Sequence, residues 1–214
     1  MIELLNVLLA GVPQTVSITA SAFAVGAVLG LPLAMLRHSS IDPLRWGATA
    51  IVDLVRTVPP IVWLFIIYYG VGSGSLRLST YQAATVGLGL VAAAHLSEIY
   101  RAGLEAVPPG QWDAVRALGV PPVPTYSQVI LPQAMIVVVP PMASFAIALL
   151  KDSAVASVIG ATDIAYRAVQ QTQMDLNGLA NFGMAGLLYI VLSIPIAVVA
   201  RGADRMLLRK LTGL

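Results

Sequence analysis

No cysteine occurs anywhere in the chain. That excludes a thiol nucleophile, a disulfide framework and any metal site built on thiolates. Charge is almost as scarce. Asp, Glu, Lys and Arg make up 10% of the residues, against about 25% in a typical soluble domain. The two histidines, His38 and His95, fall in different elements, and there is no His-Glu-x-x-His and no Gly-x-Ser-x-Gly. Hydrolase chemistry and metal chemistry therefore have no visible footing. A net charge of +2 gives no basic surface for nucleic acid. No Gly-x-x-x-x-Gly-Lys-Ser/Thr is present; Gly70, Gly72 and Gly74 lack the following Lys and hydroxyl residue and fall in a predicted turn. Phosphate cradling in the P-loop manner is excluded. No Lys or Arg precedes Arg37, so the first apolar stretch lacks the basic start of a signal peptide and reads as retained.

What the chain has in abundance is apolar sequence, 58% of all residues. A helix needs about 20 apolar residues to cross a bilayer. Five segments approach that length: 12–36, 48–71, 81–104, 131–150 and 179–200. The expectation is an all-α integral membrane protein with five spans, forming one domain over 1–214. Basic residues set the orientation. Arg37 and Arg45 follow the first span, Arg101 and Arg116 the third, and Arg201, Arg205, Arg209 and Lys210 the fifth. They share the cytoplasmic side if the N-terminus lies outside and the C-terminus inside. Gly26 and Gly30 form a small-xxx-small pair suited to close helix packing within the subunit.

The segment between spans three and four reads as a short helix over about 109–119. Proline is favoured at a helix start and glycine just past its end. Here Pro109 opens the stretch, Asp113 suits the N-terminal dipole, and Gly119 followed by Pro121 closes it. A helix this short is unstable alone. Trp112, Val115 and Leu118 recur at helical spacing and form a candidate docking edge. By spacing alone the helix either docks on another protein or lies on its own membrane.

Charges within spans are costly and mark cavities or partners. They are Asp53, Arg56, His95, Glu98, Lys151 and Asp152. Asp53 with Arg56, and His95 with Glu98, are spaced to pair on one helix; the alternative for Glu98 is a place at the inner interface with Arg101. Lys151 and Asp152 are adjacent and cannot face each other. Pro59-Pro60 and Pro140-Pro141 are expected to bend or break spans two and four. Broken helices at membrane depth line cavities. The expected pathway is therefore lined by spans two, three and four.

The loop resembles the cytoplasmic motif of ABC importer permeases: Glu-Ala-Ala, three residues, Gly, nine residues, Ile, one residue, Leu-Pro. Asp113-Ala114-Val115, Gly119 and Val129-Ile130-Leu131-Pro132 keep that spacing, with conservative departures at Asp113, Val115 and Val129. Gly110-Gln111-Trp112, Ile130-Leu131-Pro132-Gln133-Ala134, Ser97-Glu98-Ile99-Tyr100-Arg101-Ala102-Gly103, Leu150-Lys151-Asp152-Ser153 and Ser157-Val158-Ile159-Gly160 are similar to strings of the polar amino acid permeases. Arg56-Thr57-Val58-Pro59-Pro60 is similar too, though the family has Gly-Thr-Pro after that Arg. The resemblance implies a type I ABC importer permease fold in a prokaryotic plasma membrane, without a catalytic site or metal of its own. It implies that Gly110, Trp112, Asp113, Ala114, Val115, Leu118, Gly119, Leu131 and Pro132 form the segment coupled to a separate ATPase dimer, which holds the ATP and Mg. It implies an extracytoplasmic amino-acid-binding protein and a second permease copy or homologue as partners. Arg56, Thr57, His95, Ser97, Glu98, Lys151, Asp152 and Ser153 are the candidate substrate-cavity residues. An ion-gradient-driven secondary transporter would also explain intramembrane carboxylates, but not the loop spacing.

Overall fold

The computed structural model describes residues 2–71 and 77–212, and all regular structure among them is helical. Gly72 and Gly74 lie outside the described residues. Four helices are long and apolar enough to cross a membrane, and one bent pair could make a fifth span. Helix α1 (Ile2–Leu9) precedes the first span, α2 (Val12–Arg37). The second span is α3 (Asp42–Thr57) followed by α4 (Pro60–Phe65) and a π-helical turn to Val71. The third is α5 (Thr80–Glu105). Helix α6 (Pro109–Ala117) and the short turn α7 (Pro122–Pro124) lead into α8 (Leu131–Asp152). A 3-10 stretch, Ser153–Ile159, leads to α9 (Ile164–Asp175) and then α10 (Gly178–Thr212).

The closest packing is between α2 and α5. A Cβ on Gly26 would stand 2.4 Å from the Cβ of Ala92, and one on Gly30 would stand 3.0 Å from the carbonyl oxygen of Ala93. The small-xxx-small pair thus serves contact within this chain. In lipid, apolar surface gains little by leaving one apolar medium for another, so close van der Waals contact carries helix association. Helix α5 starts sharply because Ser79 and Gln82 form a reciprocal capping box.

The two double prolines behave differently. At Pro59-Pro60 the axis turns by 99°. Val58 is extended, with ψ 130, as the residue before a proline prefers. The Trp63 indole donates to the Val55 carbonyl at 3.1 Å, satisfying an acceptor near the break. The bend carries Leu64 and Ile67 into the centre of the bundle, against Ala83, Leu88, Leu149 and Ile159. At Pro140-Pro141 there is no break, because α8 runs continuously through both. Proline's φ is already helical. Its cost there is lost hydrogen bonds, and both prolines are exposed.

Gly160 and Leu176 reverse the chain at either end of the α9 segment, with φ 86 and φ 55. Asp163 caps α9 by accepting the Tyr166 N–H at 2.8 Å. It is fully buried, and its second carboxylate oxygen has no hydrogen-bond partner. Burial pushes this carboxyl up to about 7. An acid whose folded-state pKa is raised binds more protons folded than unfolded. Stability is therefore expected to fall as pH rises from about 4 to about 7. Asp163→Asn keeps the cap and removes that titration. Thermal unfolding in detergent should show the variant melting above wild type at pH 8, with the gap closing toward pH 4. A gap independent of pH would contradict this account.

Candidate functional site

Two regions hold the residues singled out from sequence. The first is α6 and its surroundings. Pro109 opens the helix, Leu118 caps it, and Gly119 follows with φ 64, a left-handed conformation that favours glycine. The proposed edge of Trp112, Val115 and Leu118 is split. Val115 is buried. Trp112 packs on the cluster of Val107, Ile130 and Ala134 and meets Tyr126 edge-on at 5.8 Å. Only Leu118 is open, at 78% exposure. The physical reason is the short helix itself: it needs a buried face, and its aromatic and branched residues supply that face to its own chain. The free edge is instead Asp113, Ala114, Ala117 and Leu118, with Gly110 and Gln111 at its start. Asp113 and Arg116 approach to 3.6 Å but are exposed, so that pair contributes little.

The end of the loop returns to its beginning. The Gln133 side-chain amide donates to Gln111 Oε1 at 3.3 Å. Leu131 and Pro132 open α8 beside this contact. The two strings Gly-Gln-Trp and Leu-Pro-Gln-Ala, far apart in sequence, are thus one structural unit.

The second region is centred on Glu98. Its carboxylate takes Arg37 of α2 at 2.6 Å, Arg101 of its own helix, and Arg56 of α3 at 3.7 Å. Arg101 also pairs with Glu105 at 2.6 Å. Three separate helices therefore meet on one carboxylate. Asp53 and Arg56 do not pair, and neither do His95 and Glu98: Glu98 takes Arg56 from α3, and is itself held by Arg101 of its own helix and Arg37 of α2. His95 stacks on Phe145 of α8, ring centroids 5.1 Å apart, within electrostatic reach of Arg56 and Asp152. Arg56, His95, Glu98 and Asp152 are thus brought into one neighbourhood.

The other cavity candidates are elsewhere. Ser97 and Ser153 are fully buried, and each donates to a carbonyl of its own helix, Ala94 at 2.9 Å and Leu150 at 2.8 Å. Both are closed off from the surface of this chain. The Thr57 hydroxyl donates to the Asp53 carbonyl at 2.7 Å. Lys151 turns away from Asp152, into a groove between α8 and α10 beside Tyr189 and Ser193. Arg37 is the residue that sequence reasoning missed. It read as a loop charge, and nothing in the sequence points to a partner 61 positions away.

Removing the Glu98 charge leaves the Arg37 guanidinium, 7% exposed, without a carboxylate. Glu98→Gln is expected to cost roughly 2 kcal/mol, less than a fully buried pair because Glu98 is partly open. Glu105→Gln, at an exposed pair, should cost about 0.5 kcal/mol or less. Chemical or thermal unfolding of the two variants checks this, and equal effects would contradict it.

The chain matches the family model described as "Binding-protein-dependent transport system inner membrane component" over residues 26–213. It is 34% identical over 192 residues to the probable glutamine ABC transporter permease protein GlnM of Bacillus subtilis (strain 168), covering 88% of this chain and 87% of that one. It is 33% identical over 201 residues to the arginine transport system permease protein ArtQ of the same organism, covering 94% and 92%. Among solved structures it is similar to an amino acid ABC transporter with histidines, at TM-score 0.87 and 28% identity over 96% of both chains. It is also similar to the inward-facing MetNI methionine ABC transporter, at TM-score 0.80 and 25% identity, covering 94% of this chain and 96% of that one. With its all-helical fold, its broken second span and its α6 segment, the chain belongs to the binding-protein-dependent transport system inner membrane components, as a permease of the amino acid ABC transporters.

Proposed function

We propose that this permease forms half of a translocation pathway for a polar amino acid and is driven through α6 by a separate ATPase. The observation that carries the reading is α6 itself. It is a capped helix outside the spans, anchored by Trp112 and Val115 and left open along Asp113, Ala114, Ala117 and Leu118. A helix presented this way suits a groove on a partner. With no phosphate-binding loop in the sequence, ATP and Mg belong to that partner.

An extracytoplasmic binding protein delivers the amino acid, and a second copy or a homologue completes the pathway. The N-terminus lies outside and the C-terminus in the cytoplasm, as the basic residues require. Closure of the ATPase dimer pushes on the open edge of α6. The Gln111–Gln133 contact and the Trp112 cluster pass that motion to α8, which carries Phe145 and Asp152. Arg56, His95 and Asp152 are the groups proposed to meet the charged ends of the substrate. Both signs of charge are present there, which fits a zwitterion. Ser97 and Ser153 have no part in this reading because they are fully buried, and Lys151 faces another groove.

The split of α6 into anchored and open faces makes a specific expectation. Ala114→Arg with Leu118→Arg should cut ATP-driven uptake into proteoliposomes by roughly tenfold or more, as loss of a central contact does, without lowering the melting temperature. Trp112→Ala should lower the melting temperature itself. Full uptake in the double variant would contradict the assignment.

A further inference from the structure

Helix α3 has three faces. Ala48, Val52 and Val55 are buried against the bundle. Arg45, Trp46, Ala50 and Asp53 line a cleft of about 560 Å³, together with Arg37 from the end of α2 and Arg101 and Glu105 from the end of α5. Leu44, Ile51 and Leu54 form a third, apolar stripe, exposed by 46%, 55% and 59%. The cleft lies between α3 and the ends of α2 and α5, and the apolar stripe runs along another face of α3.

The charges in this cleft are unevenly matched. Arg37 is held by Glu98, Arg45 by Asp42, and Arg101 by Glu98 and Glu105. Asp53 makes no ion pair among the described residues, because Arg56 turns to Glu98. The cleft therefore offers an uncommitted carboxylate beside guanidinium groups. It also carries an indole, Trp46, 68% exposed, of the kind that settles at headgroup level. A ligand that complements this set carries a positive group with N–H donors close to an anionic oxygen group. The exposed stripe of α3 adds a second requirement, an apolar tail.

We propose that this cleft is a lipid site that selects a phospholipid with a primary ammonium headgroup, with its ammonium on Asp53, its phosphate toward the arginines, and an acyl chain along Leu44, Ile51 and Leu54. A free amino acid has the same two charges but no chain to cover that stripe. A choline headgroup has the charge but no N–H to donate. A glycerol headgroup has no positive charge to place on Asp53.

The test uses the full-length permease, purified with whatever subunits accompany it. It is equilibrated in mixed micelles holding equal amounts of dioleoyl phosphatidylethanolamine, phosphatidylcholine and phosphatidylglycerol, and bound lipid is read by native mass spectrometry. The ethanolamine lipid is expected to be retained about threefold to fivefold over the choline lipid, the scale of one partly exposed charge pair. Asp53→Asn should bring that ratio to about one while the melting temperature is unchanged, since Asp53 is exposed and makes no ion pair among the described residues. Asp53→Glu should keep a preference. Equal retention of the ethanolamine and choline lipids by wild type would overturn the proposal. So would stronger retention of the glycerol lipid, or displacement of bound lipid by a millimolar mixture of free amino acids. ATP-driven uptake measured on the same samples separates this from the transport reading, because uptake does not depend on which lipid fills the cleft.

Discussion

The contact between α2 and α5 is the constraint on which the other elements depend. Along its length it is steric: at Gly26 the α5 backbone comes so close that no side chain larger than hydrogen fits, and at Gly30 a Cβ would be tight against it. At its end it is ionic, through Arg37 and Glu98. The two devices suit their surroundings. Close packing works in lipid, where burial of apolar surface contributes little between helices. An ion pair holds where the spans end and the cost of desolvation is partly relieved. Once α2 and α5 are fixed, Glu98 also positions α3, the first half of the second span, by holding Arg56.

That second span shows how a break is used. The bend at Pro59-Pro60 sends α4 across the bundle, where Leu64 and Ile67 become core residues. Helix α3 is left as a separate amphipathic piece with one face on the protein, one on a charged cleft and one on the surroundings. The same dipeptide in α8 leaves the helix continuous. The difference lies in the contacts made around each pair. Trp63, three residues past Pro60, finds an acceptor at Val55 across the bend, whereas Pro140 and Pro141 are exposed along α8.

Much of this was legible in the sequence. Span positions followed from apolar runs, and α6 followed from Pro109, Gly119 and Pro121. The loop strings carried the resemblance to the permease family that the matched relatives bear out. What was not legible depends on contacts between distant helices. Spacing rules pair Asp53 with Arg56 and His95 with Glu98, but they see only neighbours on one helix, and Arg37 arrives from another. The same limit applies to Trp112 and Val115. Their periodicity was real, yet periodicity does not say whether an apolar edge faces the chain's own core or a partner. Ser97 and Ser153 read as polar groups at membrane depth, while their hydroxyls are bonded to the preceding turn.

The central claim is that energy enters through the open edge of α6 from a separate ATPase on the cytoplasmic side. The chain has no cysteine, so Ala114→Cys creates a single thiol on that edge. Its rate of modification by a membrane-impermeant maleimide, in vesicles of either orientation and with or without the assembled ATPase, tests the claim directly. The account predicts labelling only in inside-out vesicles and strong protection once the ATPase is bound. Labelling in right-side-out vesicles, or a rate unchanged by the ATPase, would contradict it.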